Sequence, residues 1–216
     1  MDIRRRAVAD RTRGFLPDVE ADALRRAAET ARPGLWLEVG TYCGKSTVHL
    51  GAVAEVVGAH LVSLDHHHGS EENQPGWEWH DPDLVDPATG RLETLPHARR
   101  ALHDAELEET VSLLVGSTHQ VGPWWTSPLE LLFLDGNHTE EVAQHDFAAF
   151  APHLTPGAVL AVHDVFPDPA DGGQAPWHVV ERALGSGAFT AESVTGSLRV
   201  LRRTGVRLGG AASLLT

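Results

Sequence analysis

Short, nearly unbroken apolar runs recur along the chain, and most are followed by a stretch in which apolar residues return at helical spacing. The runs are LWLEV (35–39), LVSLD (61–65), VSLLVG (111–116), LELLFLD (129–135) and AVLAVHD (158–164). A strand with one wet face alternates apolar and polar positions. These runs are apolar almost throughout, which predicts parallel strands buried on both faces. Helices are expected at 45–57, at 139–151 and near 176–185. Ahead of the first strand, residues 1–31 are rich in Ala, Arg and Glu, with Val19, Ala23, Leu24, Ala27 and Ala28 at helical spacing. One or two amphipathic helices are predicted there, interrupted near GFLPD and closed by Pro33-Gly34. The end, AFTAESVTGSLRVLRR, reads as a strand, a Thr195-Gly196 turn and a returning strand. Together these elements predict an α/β fold: a doubly wound sheet of about seven strands, mostly parallel, with a C-terminal antiparallel hairpin and N-terminal helices within 1–33.

Residues 66–96, HHHGSEENQPGWEWHDPDLVDPATGRLETLP, follow neither period. A loop this long in a compact domain is expected to be a lid or a binding loop, and Trp77 and Trp79 favour an ordered one. No repeat or linker divides the chain, so residues 1–216 are expected to form one domain. The net charge of −13 disfavours nucleic acid and anionic membrane surfaces as partners. No run approaches the roughly 20 apolar residues of a membrane span, and the arginines near the N-terminus are not followed by the apolar core of a secretion signal. The single cysteine, Cys43, excludes an intramolecular disulfide and fits a cytoplasmic protein.

In open parallel sheets ligands collect at the C-terminal ends of the strands, near the point where strand order reverses. Here the expected strands end at Glu38, at Asp65, just before Ser117, at Asp135 and at His163-Asp164. One strand-terminal acid often only caps the next helix; five polar strand ends in one sheet are harder to dismiss. The stretch EVGTYCGKST (38–47) contains Gly-Lys-Ser, the tail of a phosphate-binding loop, and Lys45 is the only lysine. That loop needs four residues between its glycines, whereas Gly40 and Gly44 are separated by three. Glu38 before the loop would repel a phosphate and welcome an ammonium or sulfonium. A P-loop NTPase, with Asp135 as the acid near its metal, is therefore a distant alternative. A dinucleotide site is disfavoured because Gly40, Gly44 and Gly51 do not make Gly-x-Gly-x-x-Gly.

The ordered set resembles the class I S-adenosylmethionine (SAM)-dependent methyltransferases, which have a Rossmann-like fold, over about residues 34 to 202. EVGTYCGKS is similar to their first motif, Asp65 to the strand-two acid that holds the ribose hydroxyls, and VGS (115–117) to the adenine-side loop. The resemblance implies cofactor contacts at Glu38, Gly40, Tyr42, Gly44, Ser46, Asp65, Ser117 and Asp135. LLFLDGNHTEEVAQHDFAAFAPHLTPGAVLAVHDV looks like the metal-dependent small-molecule O-methyltransferases, closest to the branch that methylates sugar hydroxyls. It implies a divalent cation, Mg²⁺ or Mn²⁺, at Asp135, Asp164 and His163, and His138 of Asp-x-x-His as general base. The first member of the strand-five pair is usually an acid or its amide, and here it is His163. Mg²⁺ prefers oxygen ligands and imidazole suits softer ions. Either His163 stands behind the ligands or the metal is softer than Mg²⁺.

Methyl transfer from a sulfonium is an in-line displacement, so alignment is the main requirement. A sugar hydroxyl holds its proton tightly; a cation lowers its pKa, and an imidazole near pKa 6.5 can accept the proton. Glu71, Glu72, Trp77 and Trp79 are the expected substrate-facing residues of the long loop, and Gln174 and His178 those of a second rim loop (167–179). His66, His67 and His68 are adjacent and lack the i, i+4 spacing of a zinc helix, so they read as polar loop. Trp124 and Trp125 read as structural, and Cys43 as a packing residue. The expected acceptor is a sugar or glycoside hydroxyl, with a mannoside of a polysaccharide pathway as one example. The alternatives are a phenolic, catechol-like acceptor and a non-catalytic SAM-binding protein, which would bind cofactor without turnover. A homodimer is a further expectation, with the N-terminal helices either a lid or a dimer contact.

Overall fold

Seven strands make one sheet: β1 (Leu35–Val39), β2 (His60–Asp65), β3 (Val111–Val115), β4 (Leu129–Leu134), β5 (Leu154–Val162), β6 (Phe189–Thr195) and β7 (Leu198–Arg203). The computed structural model describes residues 1–77 and 79–208. In it the strands lie in the order β3-β2-β1-β4-β5-β7-β6. β1 to β5 are parallel, and β7 pairs antiparallel with both β5 and β6. The helices are α1 (Ile3–Arg11), α2 (Asp18–Ala28), α3 (Lys45–Val57), α4 (Leu95–Asp104), α5 (Thr118–Val121), α6 (Glu140–Phe150) and α7 (Ala175–Gly185). Among the described residues no helix is long and apolar enough to cross a membrane.

The unbroken apolar runs are explained by the two faces of the sheet. Leu131, Phe133, Val159 and Ala161 pack with α1 to α4 on one side. Their sequence neighbours Leu132, Leu134, Leu160 and Val162 pack with α6 and α7 on the other. Residues 131–134 of β4 and 158–162 of β5 are all buried because the period-2 alternation meets a helix layer whichever way it points.

Three parts of the fold depart from the sequence expectation. α4 was not foreseen: it buries Ala98, Ala101 and Leu102 beside α3, but its sequence LPHARRALHD carries the apolar stripe in small residues among charges. The 66–96 segment is also less irregular than its composition, with 3-10 turns at Glu71–Asn73 and Pro82–Leu84 and a β-bridge between Val85 and Leu92. In α2 the buried stripe is rotated from the expected one. Val19 is 60% exposed, while Glu20 is 5% exposed among Ala21, Ala23, Leu24, Ala27 and Ala28.

Candidate active site

Strand order reverses between β1 and β4, and the two strands meet there at their C-terminal ends. The Asp135 amide donates to the Val39 carbonyl (2.9 Å). Gly40 follows β1 with φ +96°, and a Cβ at this position would lie 2.0 Å from the Asp135 carbonyl oxygen. Only glycine allows this approach. The turn through Tyr42 (φ 49°) then reaches Gly44, which caps α3. Asp65 at the end of β2 holds this turn. Its Oδ2 accepts from the Thr41 amide (3.0 Å) and the Tyr42 amide (2.8 Å), and its Oδ1 from the His67 amide (2.8 Å). Ser117 caps α5 through a reciprocal bond with Gln120.

Glu38 lies beneath this turn, fully buried. Oε1 accepts from the Ser46 hydroxyl (2.5 Å), and Oε2 from Thr47 (2.6 Å) and from Ser63 (2.5 Å), its register partner on β2. Burial pushes its carboxyl up to about 7 against the pull of the three hydroxyls, and Asp135 adds to the rise. Glu38 and Ser46 were expected to meet the cofactor; here their side chains bond to each other at the first turn of α3. Cys43 is buried, and burial pushes its thiol up to about 12, which leaves it protonated and unreactive.

Asp135, His138 and Asp164 each place a ligand atom within 4.8 Å of the others. Asp135 follows β4, His138 lies in the loop before α6, and Asp164 follows β5 with φ 52°, a left-handed conformation that Asp tolerates better than most residues. His138 Nδ1 is 3.3 Å from Glu72 Oε2, so the long loop reaches the cluster through Glu72. His138 Nε2 is buried, 3.3 Å from Asp164 Oδ2 but without hydrogen-bond alignment to it. Burial depresses the His138 imidazole, but the Glu72 hydrogen bond and the charges of Asp164 and Asp135 outweigh it, so its pKa is raised. Burial also raises the Asp164 carboxyl, only partly offset by His163.

His163 has no ring nitrogen free to ligate. Nδ1 is 2.9 Å from Asp135 Oδ1, and Nε2 is 2.6 Å from Glu20 Oε2, on α2. Two carboxylate neighbours require both nitrogens to donate, so the ring is an imidazolium. Burial opposes that charge, but Asp135, Glu20 and Asp164 together push the pKa up to about 11. The residue expected among the ligands therefore bridges Asp135 and Glu20. Glu20 was not foreseen at all. The available signal was an acid on the apolar stripe formed by positions 20, 23, 24 and 27.

The remaining candidates scatter. Trp79 packs edge-on against Phe15 (5.2 Å between centroids), and Phe15 packs against Tyr42 (5.5 Å). Arg13 pairs with Asp81 and Asp83, so the α1–α2 linker is tied to the long loop. Trp77 is half-exposed and Glu71 exposed, without a contact to the acidic cluster. Gln174 donates to the carbonyls of Phe166 (2.8 Å) and Gly172 (3.1 Å), which makes it a staple of its own loop, and His178 pairs with Glu140. Trp125 packs on Phe150, as a structural residue should, but Trp124 is 84% exposed. His67 is buried against Thr94, and no metal cluster forms from 66–68 among the described residues.

A family model described as a methyltransferase domain matches residues 37–165, from within β1 to just past β5. Among solved structures, the chain is similar to TomG of Streptomyces achromogenes, an O-methyltransferase involved in tomaymycin synthesis and solved with SAM. Identity is 22%, over 95% of this chain and 91% of that one, with a TM-score of 0.61. An O-methyltransferase of Bacillus cereus in complex with S-adenosylhomocysteine (SAH) matches at 18% identity, over 94% and 92%, with a TM-score of 0.61. An SAH-bound methyltransferase of Podospora anserina matches at 14% identity, over 94% and 89%, with a TM-score of 0.66. At these identities the likeness speaks to the fold.

Proposed function

The chain belongs to the methyltransferase domain family, and from that premise we propose that it transfers the methyl group of SAM to a hydroxyl of a small molecule, a sugar or glycoside. The observation that carries this reading is the Asp135–His138–Asp164 cluster at the ends of β4 and β5, beside the Gly40 turn. The O-methyltransferases among the similar structures support the choice of oxygen as acceptor.

In this reading the Gly40–Gly44 turn and Asp65 receive the cofactor. His138 is the general base: Glu72 holds Nδ1, and the unbonded Nε2 is the nitrogen that takes the acceptor's proton. The residues present fit a divalent cation, because two carboxylates and a buried ring nitrogen without a hydrogen-bond partner converge there. Asp135 and Asp164 would hold it, and Mg²⁺ or Mn²⁺ suits oxygen donors. Such a cation, when bound, lowers the pKa of a coordinated hydroxyl and neutralises charge. A second arrangement has His138 as a ligand, favoured by its place in the cluster, and would select a softer ion and leave the base to another group. The exposed faces of Trp77 and Trp79 supply apolar surface for a carbohydrate or an aromatic ring.

Thermal unfolding with SAH tests the cofactor. At a hundredfold excess over Kd a native-state ligand adds about 2.7 kcal/mol, a rise of roughly 5–10 °C for a chain of this length. Stabilisation by ATP with Mg²⁺ but not by SAH would refute the assignment. Loss of methyl transfer in EDTA, restored by Mg²⁺ or Mn²⁺, tests the cation. A screen of glycosides and phenols with labelled SAM identifies the acceptor class, and SAH binding with no turnover on either class would favour a non-catalytic role.

A further inference from the structure

We infer that Glu20, on the N-terminal helix α2, is a positioning residue of the methyl-transfer site: through His163 it fixes the carboxylate of Asp135 at the end of β4. The inference rests on the reading of Asp135 as part of that site.

Two separate elements converge on this one side chain. Glu20 Oε2 accepts from His163 Nε2 (2.6 Å), just past β5. Glu20 Oε1 accepts from the Ser197 amide (2.7 Å), in the turn between β6 and β7. The Ser197 hydroxyl lies 3.2 Å and 3.3 Å from the two Glu20 oxygens and 3.4 Å from Asp164 Oδ1. The turn is shaped for this approach. Gly196 has φ +55°, and a Cβ there would lie 2.0 Å from Glu20 Oε1, so any side chain at 196 would displace the carboxylate. From Glu20 the chain of contacts continues through the imidazolium to Asp135 Oδ1 (2.9 Å). One oxygen of Asp135 is thereby held, and its other oxygen is left for the cluster.

Pairing gives the reason for a carboxylate at 20. His163 is buried between Asp135 and Glu20, and a buried polar ring left without one of its two partners is costly. A purely structural Glu20, tying α2 to the hairpin, would account for the Ser197 bonds but not for the continuation to Asp135.

The test compares the wild-type protein with Glu20→Gln, both bound to SAH, by NMR of the His163 ring nitrogens and the Asp135 side-chain carboxyl. In Glu20→Gln the His163 ring and Asp135 carboxyl resonances move, and SAH affinity stays within about twofold, because partners behind a ligand act on the ligand and not on remote contacts. Mn²⁺ titrated alone into each protein, read by electron paramagnetic resonance, should bind about 10–100-fold more weakly to the variant. A folded Glu20→Gln with an unmoved Asp135 resonance overturns the inference and leaves Glu20 a structural tie. Absence of Mn²⁺ binding to the wild type would instead count against the cation in the proposed function, and the NMR comparison still decides the role of Glu20. Should Glu20→Gln not fold, Glu20→Asp is read in the same way.

Discussion

Glu38 offers the sharpest check on the electrostatics, because it carries a buried carboxyl with hydroxyls as its only hydrogen-bond partners. Its folded pKa is about 7 against an ordinary 4.5, so the native state binds this proton more tightly than the unfolded chain. Stability from this group is therefore present at low pH and falls as pH rises from 4.5 through about 7. The gap corresponds to about 3 kcal/mol, a sizeable part of the 5–15 kcal/mol of a typical domain. Glu38→Gln removes the charge but keeps the shape. Its amide mispairs with at least one of Ser46, Thr47 and Ser63, at a cost of about 1 kcal/mol. Above pH 8 the variant should therefore be more stable than the wild type by about 1–2 kcal/mol, and at about pH 4, below the unfolded pKa, it should be less stable. Urea unfolding at half-unit pH steps measures this, and subtracting the two profiles cancels other titrating groups, Asp146 among them. Parallel profiles would refute the reasoning: the three hydroxyls would then stabilise the carboxylate enough to cancel its burial. SAH affinity, measured on the same samples, separates a brace from a cofactor contact. A brace predicts a change of less than about tenfold, one hydrogen bond to a charged group being worth more than that when lost outright.

Two further substitutions probe the turn and the base. Gly40→Ala puts a methyl group against the Asp135 carbonyl at a left-handed φ and should destabilise by more than about 2 kcal/mol while weakening SAH binding; an unshifted urea midpoint would contradict the packed β1–β4 approach. His138→Ala should lower kcat by about 10²–10⁴ with SAH affinity within about twofold, and Glu72→Gln should fall between the variant and the wild type. Full activity in His138→Ala would require another base.

The strands were legible because burial on both faces removes alternation, and runs such as LELLFLD have no other common use in a chain of this length. α4 was not, since an apolar stripe built from Ala98, Ala101 and Leu102 is weak beside Arg99, Arg100 and two histidines. Asp135, His138 and Asp164 could be read because strand ends in a parallel sheet converge in space whatever their separation in sequence. The direction of each side chain could not. Glu38 was expected to face a cationic ligand, yet Ser63, opposite it in the β1–β2 register, and Ser46 and Thr47 at the start of α3 draw both its oxygens inward. Register and helix phase decide that, and neither follows from a motif.

The histidine at 163 shows the same limit in another form. As a departure from a pattern of acids it left two readings open, a softer metal or a residue behind the ligands. In the structure both ring nitrogens face carboxylates, Nδ1 that of Asp135 and Nε2 that of Glu20, 143 positions away. An acid on the buried stripe of α2 and a histidine at an acid's place are each unfavourable alone, one a buried charge without a partner and the other a cation where a cation should bind. Together they compensate, since the carboxylate on α2 pairs the imidazolium and the imidazolium joins it to Asp135. If this exchange is what the two residues accomplish, a double variant Glu20→Gln/His163→Asp should recover Mn²⁺ binding that Glu20→Gln alone loses. Failure of the double variant to recover it would show that the pair does more than conserve charge, and would place the weight on the geometry of the imidazolium bridge.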